Sequence, residues 1–169
     1  LMNPRLFPSF AASAAALCLA LQAVSVCSTP VEAVFVKSVA ASSVLAGYTA
    51  GNAVDGQVSD RSRWVSAKSD QLHWLIAEFG KPVGIAGVHL YSGWRAGQAI
   101  SALELEYRKA GAWQKVPGGA VSDNTQMRLA IAFGEVVTTD ALRLVSSADQ
   151  IRVRELVVWP AGTELPRLG

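Results

Sequence analysis

The 169-residue chain carries 15 basic and 13 acidic residues, a net charge of +2 with the signs interspersed. That balance offers no basic tract of the kind nucleic acid or an anionic membrane surface would favour. Apolar residues make up 51% of the chain, so its length and composition suit one globular domain behind a short leader.

The leader comes first. Arg5 is the only charge before Glu32, and Phe10 to Val24 reads FAASAAALCLALQAV. That run is too short for a comfortable membrane span, which takes about 20 apolar residues. It suits the apolar region of a signal peptide. Cleavage is expected after Ala33, following the pattern Val31-Glu32-Ala33; sites after Ala23 and Ser25 are alternatives, and an uncut anchor helix is the competing reading. The expected layout is a signal peptide over 1–33, a domain over 34–160 and a C-terminal tail over 161–169. The protein is expected to be secreted or periplasmic, with no stable membrane insertion after cleavage. Both cysteines, Cys18 and Cys27, fall in the leader, so the mature domain would hold no disulfide and no reactive thiol. Cys27 is also a candidate for lipidation, which bulky Val26 before it opposes.

After Ala33 the pattern is alternation rather than helical periodicity. Leu103, Leu105 and Tyr107 share a face, as do Met127, Leu129, Ile131 and Phe133, and Leu142 with Leu144. HWLIAEF and VGIAGVHLY are more continuously apolar, as strands inside two packed layers are. Gly80 to Pro82, Gly93 to Gly97, Pro117 to Gly119 and Ser122 to Asn124 supply turn residues between the runs. Many short strands with such separators predict an all-β sandwich, and the tail after Trp159 reads as an exposed end.

Asn52 to Trp64 reads NAVDGQVSDRSRW. Asp55, Ser59, Asp60 and Ser62 offer hard oxygens of the kind calcium takes in sets of six to eight. The alternative is a turn whose carboxylates cap backbone amides or pair with Arg61. In the last strand, IRVRELVVW, alternation sets Glu155 on the apolar face with Ile151, Val153, Val157 and Trp159. A carboxylate there needs an arginine, a proton or a cation. Arg63 and Arg143 are candidate partners, and proximity to the Asn52–Ser62 loop would instead complete an oxygen cage.

In order, the motifs NAVDG, SRWVS, HWLIAEFG, GIAGVHLYSGW, LELEYR with AGAWQKVPG, Asn124-Thr125, LRLV and RELVVW resemble the discoidin, or coagulation factor C-terminal-like, domain. That superfamily has the galactose-binding-like fold and includes family 32 carbohydrate-binding modules. The resemblance covers about residues 38 to 160. It implies an antiparallel jelly-roll sandwich, and a structural calcium with Asp55 and Glu155 as ligands and Asp60 and Ser62 as helpers. The spacing from Asp55 to Trp64 is longer than the commonest family version, which bears on those helpers.

A module of this kind binds through loops at one end. A sugar offers a C–H face to an aromatic ring and hydroxyls to polar forks. Trp94, in SGWRAGQ beside Arg95, is the expected platform, while Trp64, Trp74, Trp113 and Trp159 are assigned to the core. Arg95, Arg63, His73 and Asn124 complete the candidate ligand set; Arg63 has the competing role of bracing the Asp55–Gly56 loop, and Asn124 that of holding its turn. His89 is assigned no role. The chain has no HExxH, GxSxG or glycine-rich phosphate loop, and no marked carboxylate pair. The expectation is a non-catalytic module whose partner is a glycan or polysaccharide. The rivals are an adhesion or assembly module gripping a cell-surface or extracellular protein, and a hydrolase with an unrecognised site.

Overall fold

The computed structural model describes residues 31–95 and 97–168, so the expected signal segment, Cys18 and Cys27 lie largely or wholly outside the described residues. The strands are β1 (Ser38–Ala41), β2 (Trp64–Val65), β3 (His73–Ser92), β4 (Leu103–Lys109), β5 (Ala112–Val121), β6 (Arg128–Ser146) and β7 (Arg152–Pro160). Among the described residues one 3₁₀ turn, Ala50–Ala53, precedes the Asp55 loop. Hydrogen bonding runs in the order β2-β7-β3-β6-β4-β5, with β1 also on β3, and every pairing is antiparallel.

Two strands are longer than the sequence pattern suggests. HWLIAEF and VGIAGVHLY join into β3, 20 residues long, and QMRLAIAF and ALRLV into β6, 19 residues long. Gly80 to Pro82 does not end a strand: it forms an irregularity between Glu78 and Val83, followed by another between Ile85 and Gly87. Such irregularities bend a strand while pairing continues on either side. The first half of β3 therefore pairs with β1 and the second half of β6, and its second half pairs with β7 and the first half of β6. Pro117 to Gly119 likewise lies within β5, beside a register shift opposite Glu104 and Glu106. The β4–β5 connection is a tight hairpin in which Ala110 and Gly111 both have positive φ, 50° and 80°. This is the backbone twist that two-residue hairpins prefer.

The alternating faces close on one core. Trp64, Leu75, Ile85, Leu90, Leu105, Leu144 and Val153 are fully buried. Each such side chain contributes roughly 1.5–3 kcal/mol through removal from water. Trp64 also donates from Nε1 to the Ser43 carbonyl at 2.9 Å. Trp113, assigned above to the core, lies instead against cations: the Arg143 guanidinium sits 4.5 Å from its ring centre and that of Arg108 5.9 Å. Glu106 holds Arg143, and Asp140 and Glu78 hold Arg108. The tail is only partly exposed. Leu165 covers Gly87, where a Cβ would meet the Ile131 carbonyl at 2.5 Å and Leu165 at 2.8 Å.

Candidate functional site

The loop after the 3₁₀ turn is organised by its own side chains. Asp55 Oδ1 accepts from the Gln57 amide at 2.9 Å, and the Ser62 hydroxyl donates to Asp55 Oδ2. Ser59 Oγ accepts the Ser62 amide at 2.9 Å. Gly56 has φ 79°, which glycine adopts at no steric cost. The Asn52 side chain donates to the Arg63 carbonyl at 3.2 Å and joins the two ends of the loop.

Glu155 enters this loop from β7. The strand does not keep the simple alternation read from the sequence: a register shift between Tyr91 and Ser92 of β3 opposes the segment Val153 to Glu155. Glu155 and Leu156 are consequently both buried. The Glu155 Oε2 atom accepts the Gly56 amide at 3.1 Å. Burial pushes its carboxyl up to about 7, with the charge of Asp55 adding to the effect and the loop amides opposing it. Asp55, Ser62 and Glu155 thus converge as oxygen groups. Asp60 does not join them; its Oδ1 lies 2.5 Å from Nη2 of Arg154. The brace expected of Arg63 is made by Arg154. Among the described residues no group of three or more His, Cys, Asp or Glu is poised around a metal position. The donors that do converge, two carboxylates and a hydroxyl, are of the hard oxygen type that calcium accepts.

A second cluster forms where β3 ends. Gly93 has φ 80°, and a Cβ there would approach both the Gly97 carbonyl and Met127 Sδ at 2.8 Å. The Gly93 amide donates to the Arg152 carbonyl at 3.0 Å, tying this loop to β7. Trp94 follows, half-buried, with the Arg95 guanidinium 4.3 Å from its ring centre. Arg63 also approaches this ring. Its guanidinium lies 5.3 Å from the Trp94 ring and 4.4 Å from that of Tyr48. Arg63 is only 6% exposed and its Nε has no hydrogen-bond partner. Burial, and then repulsion from Arg63, lower the pKa of Arg152. Its guanidinium donates to the Gln150 carbonyl and side chain at 3.2 and 2.7 Å.

Arg63, Trp94 and Arg95 are therefore brought together. His73 is placed differently: it is buried, with Nδ1 3.8 Å from Asp70, whose carboxylate is held by the Ser43 hydroxyl. Asn124 is engaged in its turn, donating to the Ile100 and Gln126 carbonyls and accepting the Gln126 amide. Tyr48 and Arg152 were missed. Nothing in their local sequence marks them, since each becomes a site neighbour through a contact across the fold.

The bent antiparallel sandwich, with an aromatic ring and cationic forks gathered on its loops, has the galactose-binding-like fold. The sequence matches the F5/8 type C domain over residues 38–153, and the chain belongs to that family. Solved structures share the fold at low identity. A chitosan-binding module from a chitosanase/glucanase of Paenibacillus sp. IK-5 superposes with a TM-score of 0.62 at 22% identity, covering 75% of this chain and 96% of that one. The family 32 module of Clostridium perfringens NanJ, in complex with galactose, gives 0.62 at 17% identity, covering 72% and 92%. A pectin-binding module gives 0.56 at 19% identity, covering 79% and 96%. No curated protein matches the chain.

Proposed function

We propose that this protein is an exported, non-catalytic carbohydrate-binding module. It recognises a glycan through the loop end that carries Trp94. One observation carries the reading: a half-buried tryptophan ring on a loop, flanked by the guanidinium groups of Arg63 and Arg95 at 5.3 and 4.3 Å. A ring offers the apolar contact that a sugar C–H face needs, and the flanking forks hold hydroxyl or acidic oxygens. The chitosan, galactose and pectin ligands of the structural neighbours support the same class of partner.

The loop also holds a structural calcium in this reading, with Asp55, Ser62 and Glu155 as side-chain ligands. The support is chemical: the exposed Asp55 lies beside the buried Glu155, whose pKa is raised by burial first and then by the charge of Asp55, and a cation would offset both. Calcium supplies charge neutralisation and rigidity; the chain's own residues supply the sugar contacts. Export rests on the leader composition, and the compartment is the periplasm or the exterior.

A glycan array with the mature protein, repeated with Trp94→Ala, tests the reading. Binding to at least one glycan that is lost in the variant is expected. Undiminished binding by Trp94→Ala would remove this site.

A further inference from the structure

Arginines among the described residues differ in their partners. Arg108, Arg143 and Arg154 each meet a carboxylate, at Asp140 and Glu78, Glu106, and Asp60 respectively. At the Trp94 end the pattern breaks. Among the described residues, no carboxylate lies within ion-pair distance of Arg63 or Arg95. Arg63 is nevertheless buried, with an unpartnered Nε, and keeps only the faces of Tyr48 and Trp94. A buried charge without a counter-ion is costly, and protein interiors normally supply one. Arg152 adds a third cation near enough to Arg63 to be repelled by it. Beside Arg152 runs a groove of about 300 Å³ between the Gln98–Ser101 segment and the Ala148–Arg152 turn, lined also by Lys68 and by one acid, Asp149.

We propose that the glycan recognised here is acidic, and that a uronate carboxylate supplies the counter-ion that Arg63 and Arg95 lack. The proposal rests on the glycan-binding reading and narrows it to one ligand chemistry. The planar guanidinium fork matches a carboxylate in two parallel hydrogen bonds, which gives direction as well as attraction. The Trp94 ring serves the uncharged face of the same sugar. Cationic polysaccharides such as chitosan meet like charge at this end and are rejected.

The test uses the full mature domain and calorimetric titration against five polymers: polygalacturonate, its methyl ester, a neutral galactan, a sulfated galactan and chitosan. Polygalacturonate should bind, and binding should weaken as salt is raised. Capping the carboxylate as its methyl ester should weaken binding about ten-fold or more, as should Arg63→Gln, each removing one charge-assisted contact. Melting curves establish whether Arg63→Gln folds; if it does not, the surface variant Arg95→Gln decides, with the same loss expected. Equal binding of acid and ester overturns the proposal. So does preference for the sulfated galactan, which would assign the site to sulfate, or for chitosan. Trp94-dependent binding of the neutral galactan alone overturns the acidic ligand and leaves glycan binding standing. Failure of all five polymers overturns the acidic ligand; only if the glycan array also shows no Trp94-dependent binding does the glycan reading fall with it.

Discussion

Glu155 accepts a hydrogen bond from the amide of Gly56, 99 residues away in sequence, at 3.1 Å. The bond clamps the closing strand to the loop at residues 52–64. It also places a carboxyl group where burial and the neighbouring Asp55 both resist its ionisation.

That placement makes stability depend on pH in a definite direction. The carboxyl of Glu155 rises from an ordinary 4.5 to about 7 in the fold. Between those values the native protein holds a proton that the unfolded chain has released. Stability should therefore fall as pH rises from about 4.5 to about 7, by up to about 3 kcal/mol. The measurement is a series of melting curves in excess chelator. Glu155→Gln should flatten the profile, and a profile that is already flat in the parent protein would refute this account of Glu155.

Calcium should act in the opposite sense, because a cation favours the charged carboxylates. Millimolar calcium at pH 7 is expected to raise the melting temperature of the parent protein, as a ligand of the folded form does. Asp55→Asn and Glu155→Gln should each lose most of that gain. Identical melting curves with calcium and with chelator would discard the metal.

The Arg154 brace can be tested on its own. Asp60→Ala removes the partner of a guanidinium whose Nε is already unpartnered and buried. The pair is partly exposed, so the expected loss is about 1 kcal/mol rather than the larger figure for a fully buried pair. Were Asp60 a metal ligand, the same change would also abolish the calcium-induced rise in melting temperature; here that rise should survive.

Gly87 is a packing position. A methyl group there meets the Ile131 carbonyl at 2.5 Å, a backbone atom that cannot swing aside. Gly87→Ala should destabilise by about 1–3 kcal/mol, the usual range for overpacking. Leu165→Ala would relieve the contact with the tail and leave the carbonyl clash, so the double variant should recover little. Chemical denaturation of the three variants decides.

Several features of the fold are legible from residues alone. Period-two alternation in LELEYR and ALRLV places Leu103, Leu105, Leu142 and Leu144 inward, and all four are buried. Trp94 between glycines is visible as a loop ring, and Glu155 as a carboxylate on an apolar face. Other readings failed for a shared reason. Gly80 to Pro82 and Pro117 to Gly119 carry turn chemistry, yet they bend strands without ending them, because pairing with neighbours continues past the irregularity. Trp113 has the composition of a core residue, but cations from β4 and β6 face its ring.

Local side-chain periodicity, turn chemistry and motif order are properties of short segments, and the sequence by itself determined them: an antiparallel all-β domain, its inward residues and the loop that bears Trp94. Pairings between distant residues were decided only by the tertiary structure. It gave Asp60 to Arg154 and Glu155 to Gly56, and left Arg63 between Tyr48 and Trp94 without an acid. The reason is physical. A charged side chain takes whichever partner the packed layers bring within a few ångströms, and strand register, with its bulges, sets that distance.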